Sequence, residues 1–268
     1  MDAGPIRTTA RSLRLGSERA RFELWAKRLD ARLRRAGGRL RLDAPHGAHY
    51  YELPRVEVLP YGAGRGTFTL RLGRHVQLGR GLILEIWGAA QTAVELGDEV
   101  TFQAGTRARM WGGSIRIGPK ARIRDYCFLD ASGDLALGAG VQIGTQVALH
   151  AAGSVEIGDN VTIGERTSFF DSDHRHDGSD DPVIDQPRAI EAITVGANAF
   201  IGANSLVLRG ARVGANASIA GASVVRGGEH RGRERGARRR VSGRLPVRRL
   251  SARGRQSARA RPAGFEPP

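Results

Sequence analysis

Residues 157 to 168 are two consecutive copies of one six-residue pattern, Ile157-Gly-Asp-Asn-Val-Thr and Ile163-Gly-Glu-Arg-Thr-Ser, and the pattern recurs from Leu72 to about Val225. An aliphatic residue is followed by a small one, two turn-prone residues, a small or β-branched residue, and a spacer. Further copies open at Leu96, Ile117, Leu137, Ile143, Val195, Ile201 and Val213. So short a unit cannot bury its apolar position alone. It works only if a brief strand points the aliphatic side chain into a narrow core and the Gly and Asn positions turn a sharp corner, including φ > 0 that other residues resist. Three units then close one coil, and each coil hydrogen-bonds to the next. The fold expected is mainly β, a parallel β-helix of hexapeptide repeats.

A longer period supports this. The aliphatic residues that open successive coils sit at 96, 117, 137 and 157, separated by 20 or 21 residues, so the third face of each coil carries about two extra residues. The corners after that face are alike: Trp111-Gly-Gly-Ser-Ile, Ala131-Ser-Gly-Asp-Leu and Ala152-Gly-Ser-Val. Between Ile157 and Val195 the interval stretches to 38 residues, one coil plus an excursion of roughly 18. An excursion from a rigid scaffold is where binding and catalytic residues concentrate. This one holds Phe170-Asp-Ser-Asp-His-Arg-His, a cluster of carboxylates and imidazoles.

The flanks are of different kinds. Residues 1 to 16 are polar and expected to fray; Ser17 then offers an N-cap, and Phe22, Trp25, Leu29 and Leu33 recur at helical spacing until Gly37-Gly38. One amphipathic helix is predicted, with its apolar stripe packed on the main body. Short alternating segments at 39–42, 56–59 and 67–72, punctuated by Pro54, Pro60 and glycines, read as edge-like strands leading into the repeats. The division expected is 1–71 for the N-terminal helix and lead-in strands, 72–226 for the β-helix, and 227–268 for a disordered Arg-rich tail.

Charge belongs mostly to that tail. The chain carries a formal +15, yet 13 Arg stand against 3 Glu in residues 227–268, +10 of the total, and the body is only mildly basic. Arg clusters neutralise phosphates, but this tail has a single aromatic residue, Phe265, and so lacks stacking platforms; nucleic acid is not the expected partner. One cysteine, Cys127, excludes a disulfide framework and multi-thiolate zinc sites, which suits a cytoplasmic location. It falls at a small-residue position of the repeat and reads as a core residue. No apolar run approaches the ~20 residues of a membrane span.

These residues resemble a known family, the hexapeptide-repeat acyltransferases with a left-handed parallel β-helix, and more narrowly the sugar and polysaccharide O-acetyltransferases of the galactoside and maltose acetyltransferase type. The likeness covers about Leu72 to Arg226 and is most specific in the stretch from Ile157 through Phe170-Asp-Ser-Asp-His and in Ala192-Ile-Thr-Val-Gly-Ala-Asn-Ala-Phe-Ile-Gly-Ala-Asn. The resemblance implies acyl transfer from acetyl-CoA, as co-substrate, to a sugar or glycan hydroxyl in a homotrimer with sites between subunits. It places the catalytic base on His174, with His176 as the alternative. Imidazole suits the task, since it titrates near neutrality and can take the hydroxyl proton and return it to the leaving thiolate. A carboxylate beside it would fix the tautomer, and Asp171 and Asp173 are nearest in sequence. By resemblance the oxyanion donor is the N–H of Ala203, and the pantetheine arm passes Ala203 and Gly221.

The chain departs from the family at two points. Phe200 stands where the family has Trp, keeping an aromatic wall without an indole N–H. The closing segment reads Ala220-Gly-Ala-Ser-Val-Val-Arg-Gly, so Gly227 occupies the place of a cation facing the coenzyme phosphates, with Arg226 available as a substitute. Read one base downstream, codons compatible with Glu229 to Arg235 resemble the way this family closes its β-helix. A shifted frame near Arg226 is therefore one expectation for the tail, and a regulatory or nucleic-acid-binding extension the other. Two rival functions remain at this stage: a catalytically silent β-helix serving as scaffold or binding module, and a metal site using His150 with His174 and His176. The three-histidine geometry of β-helical carbonic anhydrases is not matched, because His174 and His176 share one loop, so no metal is expected.

Overall fold

The structure is a computed structural model that describes residues 5–45, 48–59, 65–87, 90–175, 178 and 180–230. Three parallel sheets form the walls of a prism, with 9, 8 and 8 strands, and each strand pairs with its counterpart one coil away. A coil runs through a strand of the first sheet, a corner, a two-residue strand of the second, a second corner, and a strand of the third. One such coil is Ser114–Ile117, Arg122–Ile123 and Phe128–Ala131. The four-residue third-face strands against two-residue strands on the second face account for the 20-residue period. The architecture is the mainly β, three-walled helix that the repeats require, and its three parallel sheets are consistent with a left-handed β-helix.

Inside, the aliphatic positions stack coil upon coil. Leu96, Ile117, Leu137 and Ile157 form one column, and Ile123, Ile143, Ile163 and Ile201 another, all at most 5% exposed. Neither column could be dry in one coil alone, so burial and ladder hydrogen bonds appear together as coils are added. The segments expected to lead into the repeats are themselves coils. Arg39–Asp43 pairs in parallel with Thr67–Leu72, and Arg55–Leu59 with Ile83–Trp87, so the sheets begin at Arg39. Their repeats were hard to see because the connections are longer and richer in Pro and Gly.

Glycine and asparagine were expected to share the corner of positive φ, and the structure separates their duties. The left-handed residue is the fourth of the hexad, as at Asn160 (φ 56°), Asn198 (58°) and Asn204 (58°). The glycine in second position is needed because the next coil lies against it. A Cβ on Gly164 would stand 2.4 Å from the Ala203 nitrogen, and one on Gly202 only 2.3 Å from that of Gly221.

Helix α1 spans Pro5–Arg35 and starts twelve residues before Ser17, so the expected fraying of residues 1–16 is corrected from Pro5 onward. Proline is well tolerated in a first helical turn, whose N–H groups lack intrahelical partners anyway. The helix ends as predicted, with Gly37 at φ 82° and the Gly38 N–H bonded to the Leu33 carbonyl at 2.8 Å. Phe22, Leu29 and Leu33 are at most 2% exposed against the β-helix, and the Trp25 indole donates to the Pro54 carbonyl at 3.0 Å. At the other end, strand Gly228–His230 adds to the first sheet beside Ala211–Val213, so the ladder runs past the expected boundary at 226. Residues 231–268, and with them most of the Arg-rich tail, lie outside the described residues.

Candidate functional site

After Phe170 the chain leaves the third sheet and returns to the first only at Ile193. Within the excursion, Ser172–His174 pairs antiparallel with Arg188–Ile190, and a 3₁₀ turn spans Val183–Asp185. The antiparallel pair is a stalk that holds the base of the excursion against the body.

Asp171 anchors that stalk. It is fully buried, and its carboxylate accepts from the backbone N–H groups of Ala152 (2.8 Å), Gly153 (2.7 Å) and Ser154 (2.9 Å). One coil earlier the same three positions, Ser132, Gly133 and Asp134, donate to the carbonyls of Ala151 and Gly153. Where the next coil swings away, the Asp171 side chain supplies the acceptors that its backbone no longer brings. Among the described residues the hydrogen bonds of Asp171 go to the corner rather than to the His174 imidazole, because three N–H groups there would otherwise have no acceptor.

His174 is half-buried beside Arg188 in the stalk, and its Nδ1 is buried without a hydrogen-bond partner among the described residues. A buried polar atom without a partner is uncommon and often marks a functional group. Asp173 is exposed and belongs to a cavity of about 470 Å³ lined by Phe170, Ser172, Leu208, Arg209 and Arg226 among others. The structure thus brings Asp173 and Arg226 to one pocket, with Glu191 paired to Arg209 across it. His176, the alternative base, lies outside the described residues. A larger open groove of about 690 Å³ runs along the first sheet past Glu156 and Arg212 and holds none of the expected site residues.

Ala203 and Gly221 occupy equivalent positions in adjacent coils at the second corner, and the Ala222 N–H reaches the Ala203 carbonyl at 2.8 Å. At three other positions the N–H at this place in the hexad is capped by an aspartate one coil on. Arg74 donates to Asp98 at 2.8 Å, Ala104 to Asp125 at 2.9 Å, and Ala139 to Asp159 at 2.7 Å. Gly221 offers no side chain, and the Ala203 N–H forms no hydrogen bond among the described residues. Phe200 projects from the adjacent strand of the second sheet, 47% exposed. These three residues sit at the edge of the third sheet opposite the excursion, so a single chain does not join them to His174. The resemblance had singled out this N–H; the sequence around Ala203 does not by itself say that it is open, since that depends on Gly221 one coil on.

Cys127 is 1% exposed and donates to the Gly144 carbonyl at 3.1 Å, much as Thr167 donates to that of Gly202. Burial pushes its thiol up to about 11. His150 stacks on Phe170, with ring centroids 4.5 Å apart, and its Nδ1 lies 3.4 Å from Asp130. Among the described residues no group of three or more His, Cys, Asp or Glu side chains is placed to hold a metal ion, and no helix is long and apolar enough to cross a membrane.

The class that fold and repeats define is a parallel β-helix of hexapeptide units. Residues 192–226 match the family described as the hexapeptide repeat of succinyl-transferase, and these are the coils that carry Phe200, Ala203, Gly221 and Arg226. No curated protein matches the chain.

Proposed function

We propose that this protein is an acyl-CoA-dependent O-acyltransferase, transferring an acetyl group to a sugar or polysaccharide hydroxyl, with His174 as general base and copies assembled as a homotrimer. The observation that carries the reading is the buried Nδ1 of His174, without a hydrogen-bond partner among the described residues, on the excursion of a hexapeptide β-helix whose coils at 192–226 match a transferase repeat. The coenzyme would supply the activated acyl group. His174 takes the proton from the acceptor hydroxyl as its oxygen forms the new bond to the acyl carbon, and returns it to the departing thiolate. The open Ala203 N–H is suited to donate to the oxygen on which charge develops, and Gly221 leaves room beside it for the pantetheine arm. Asp173 and Arg226 line the cavity beside the excursion, where they are suited to meet the acceptor and the coenzyme phosphates.

A second reading, a silent scaffold, draws on the commitment of Asp171 to the corner, which leaves His174 without that carboxylate. Thiol release from acetyl-CoA decides between them when measured against a panel of mono- and oligosaccharides. Acceptor-dependent release lost in His174→Ala supports the enzyme. Release that is absent with every acceptor, or unchanged in His174→Ala, overturns it.

A further inference from the structure

Two of the chain's three tryptophans meet at the surface rather than in the core. Trp87 ends the strand Ile83–Trp87, and Trp111 follows Arg107–Met110 one coil on; their indoles stack with ring centroids 3.8 Å apart and planes inclined by 20°. Trp87 is half-buried, while Trp111 is 47% exposed. The corner itself does not call for an aromatic group. In the next two coils the residues in Trp111's place, directly after the strand of the third sheet, are Ser132 and Ala152. Apolar surface of this size is unfavourable in water, and the stack on Trp87 recovers only part of that cost. The pair is a platform already formed for a ligand that covers it.

Its surroundings say which chemistry fits. At the far end of the same corner, Trp111-Gly112-Gly113-Ser114, the Ser114 hydroxyl donates to Asp134, and Arg116 donates to Ser114 at 2.7 Å and to Asp134 at 3.3 Å. The Arg116 and Asp134 side chains are 48% and 56% exposed, so donors and lone pairs that this cluster does not use still face solvent. The centre of a protein contact is aromatic but poor in charge. Here a guanidinium, a carboxylate and hydroxyls border the rings. A pyranose matches both halves: the C–H groups on its face meet the negative face of an indole, and the hydroxyls on its rim both donate and accept.

The platform also stands in line with the candidate site. Trp111 lies on the edge of the third sheet from which the excursion leaves. Register runs from its coil through those of Ser132 and Ala152 to the coil of Phe170, three strand spacings or about 14 Å. That distance exceeds one sugar ring and suits a short oligosaccharide.

We propose that Trp111, stacked on Trp87, holds a sugar unit of the acceptor glycan remote from the reacting hydroxyl, with Ser114, Arg116 and Asp134 bonding the hydroxyls of that unit. The inference rests on the acyltransferase reading above and goes further, because it selects an extended glycan over a free sugar. Binding energy gathered at the platform serves to position the distant hydroxyl at His174, and a short acceptor forgoes it.

The test titrates the full chain, without acetyl-CoA, with cellohexaose, maltohexaose, chitohexaose and a hyaluronan hexasaccharide in a calorimeter. At least one is expected to bind, about tenfold more weakly to Trp111→Ala and close to normally to Trp111→Tyr, which keeps an aromatic face. Trp111→Ala is expected to fold, since Ser and Ala hold that place in the neighbouring coils; Asp134→Ala, several-fold weaker, gives a second readout should it not. No binding by any of the four, equal binding to wild type and Trp111→Ala, or a lower sedimenting mass for Trp111→Ala, which would assign the pair to a contact between copies, overturns the proposal. Thiol release then separates the two readings. With the hexasaccharide that binds, Trp111→Ala should lower kcat/KM about tenfold through KM, and leave release with the corresponding monosaccharide at the wild-type rate. Binding that depends on Trp111 without acceptor-dependent release keeps the glycan platform and sinks the acyltransferase. Release from the hexasaccharide reaction that is unchanged in Trp111→Ala keeps the acyltransferase and sinks the platform.

Discussion

Replacing Asp171 by Asn separates a structural carboxylate from a catalytic one. In the native corner Oδ1 accepts from Ala152, while Oδ2 accepts from both Gly153 and Ser154. The amide keeps one oxygen and so can preserve the Ala152 bond, but its NH₂ would confront two backbone donors that have no other acceptor. Hydrogen bonds to a charged group contribute about 1.5–3 kcal/mol each, so losing two costs about 3–6 kcal/mol. At 2–4 °C per kcal/mol for a chain of this size, the melting temperature falls by roughly 10 °C. Because each coil leans on its neighbours, the loss should register first in the coils around the excursion, read as faster amide exchange at residues 152–154. Circular dichroism melts and turnover per folded molecule are measured together at a temperature where the variant is still folded. A melting point within a degree or two of wild type, with turnover down a hundredfold, would refute this reasoning and return Asp171 to the chemistry.

His174→Ala should leave the melting curve unchanged and lower turnover by about two to four orders of magnitude, the usual contribution of a general base, in the thiol-release assay. Ala222→Asn should raise stability by about 1 kcal/mol in urea titrations, because Ala222 sits at φ 56°, where asparagine is accepted and alanine strained. Cys127 should resist thiol reagents at pH 8 until the protein is unfolded. Its thiol, raised from 9.0 to about 11 by burial, also holds its proton in the folded state after the unfolded chain has lost it; its contribution is present below pH 9 and lost as pH rises from 9 toward 11, which melts across that window would read.

The walls of the prism were legible because each hexad repeats the same physical problem, an aliphatic residue to bury and a corner to turn. Ile117, Ile143 and Ile157 therefore declared their coils individually. The first coils were less legible. Arg39–Asp43 and Arg55–Leu59 alternate like ordinary strands, and only pairing across 28 residues, Leu40 to Phe68 and Val56 to Leu84, reveals them as rungs. Position in sequence does not reveal what Asp171 touches, three residues from His174 along the chain, because a strand reverses side-chain direction at every residue and the corner behind it has N–H groups to satisfy. The open N–H at Ala203 could not be read from its own hexad at all. It depends on the identity of Gly221, one coil on.

That dependence can be turned into an experiment on the coenzyme edge. At the equivalent positions, Asp98, Asp125 and Asp159 reach back across one coil to cap an N–H without disturbing the ladder. Gly221→Asp should do the same to Ala203. A Cβ at Gly221 would stand 3.1 Å from the Ala203 carbonyl, a contact that a shift of a few tenths of an ångström relieves, so the variant is expected to fold. A new charge-assisted bond is worth about 1.5–3 kcal/mol and should at least offset that strain, leaving the melting point at or above the wild-type value. If the Ala203 N–H stabilises the developing oxyanion, occupying it removes the donor and places a negative charge where negative charge must grow. Turnover should then fall by about 10²–10³, the cost of one such donor, with the Michaelis constant for acetyl-CoA raised more than that for the acceptor. A variant that melts like wild type and turns over at the wild-type rate would show that the donor lies elsewhere on the edge.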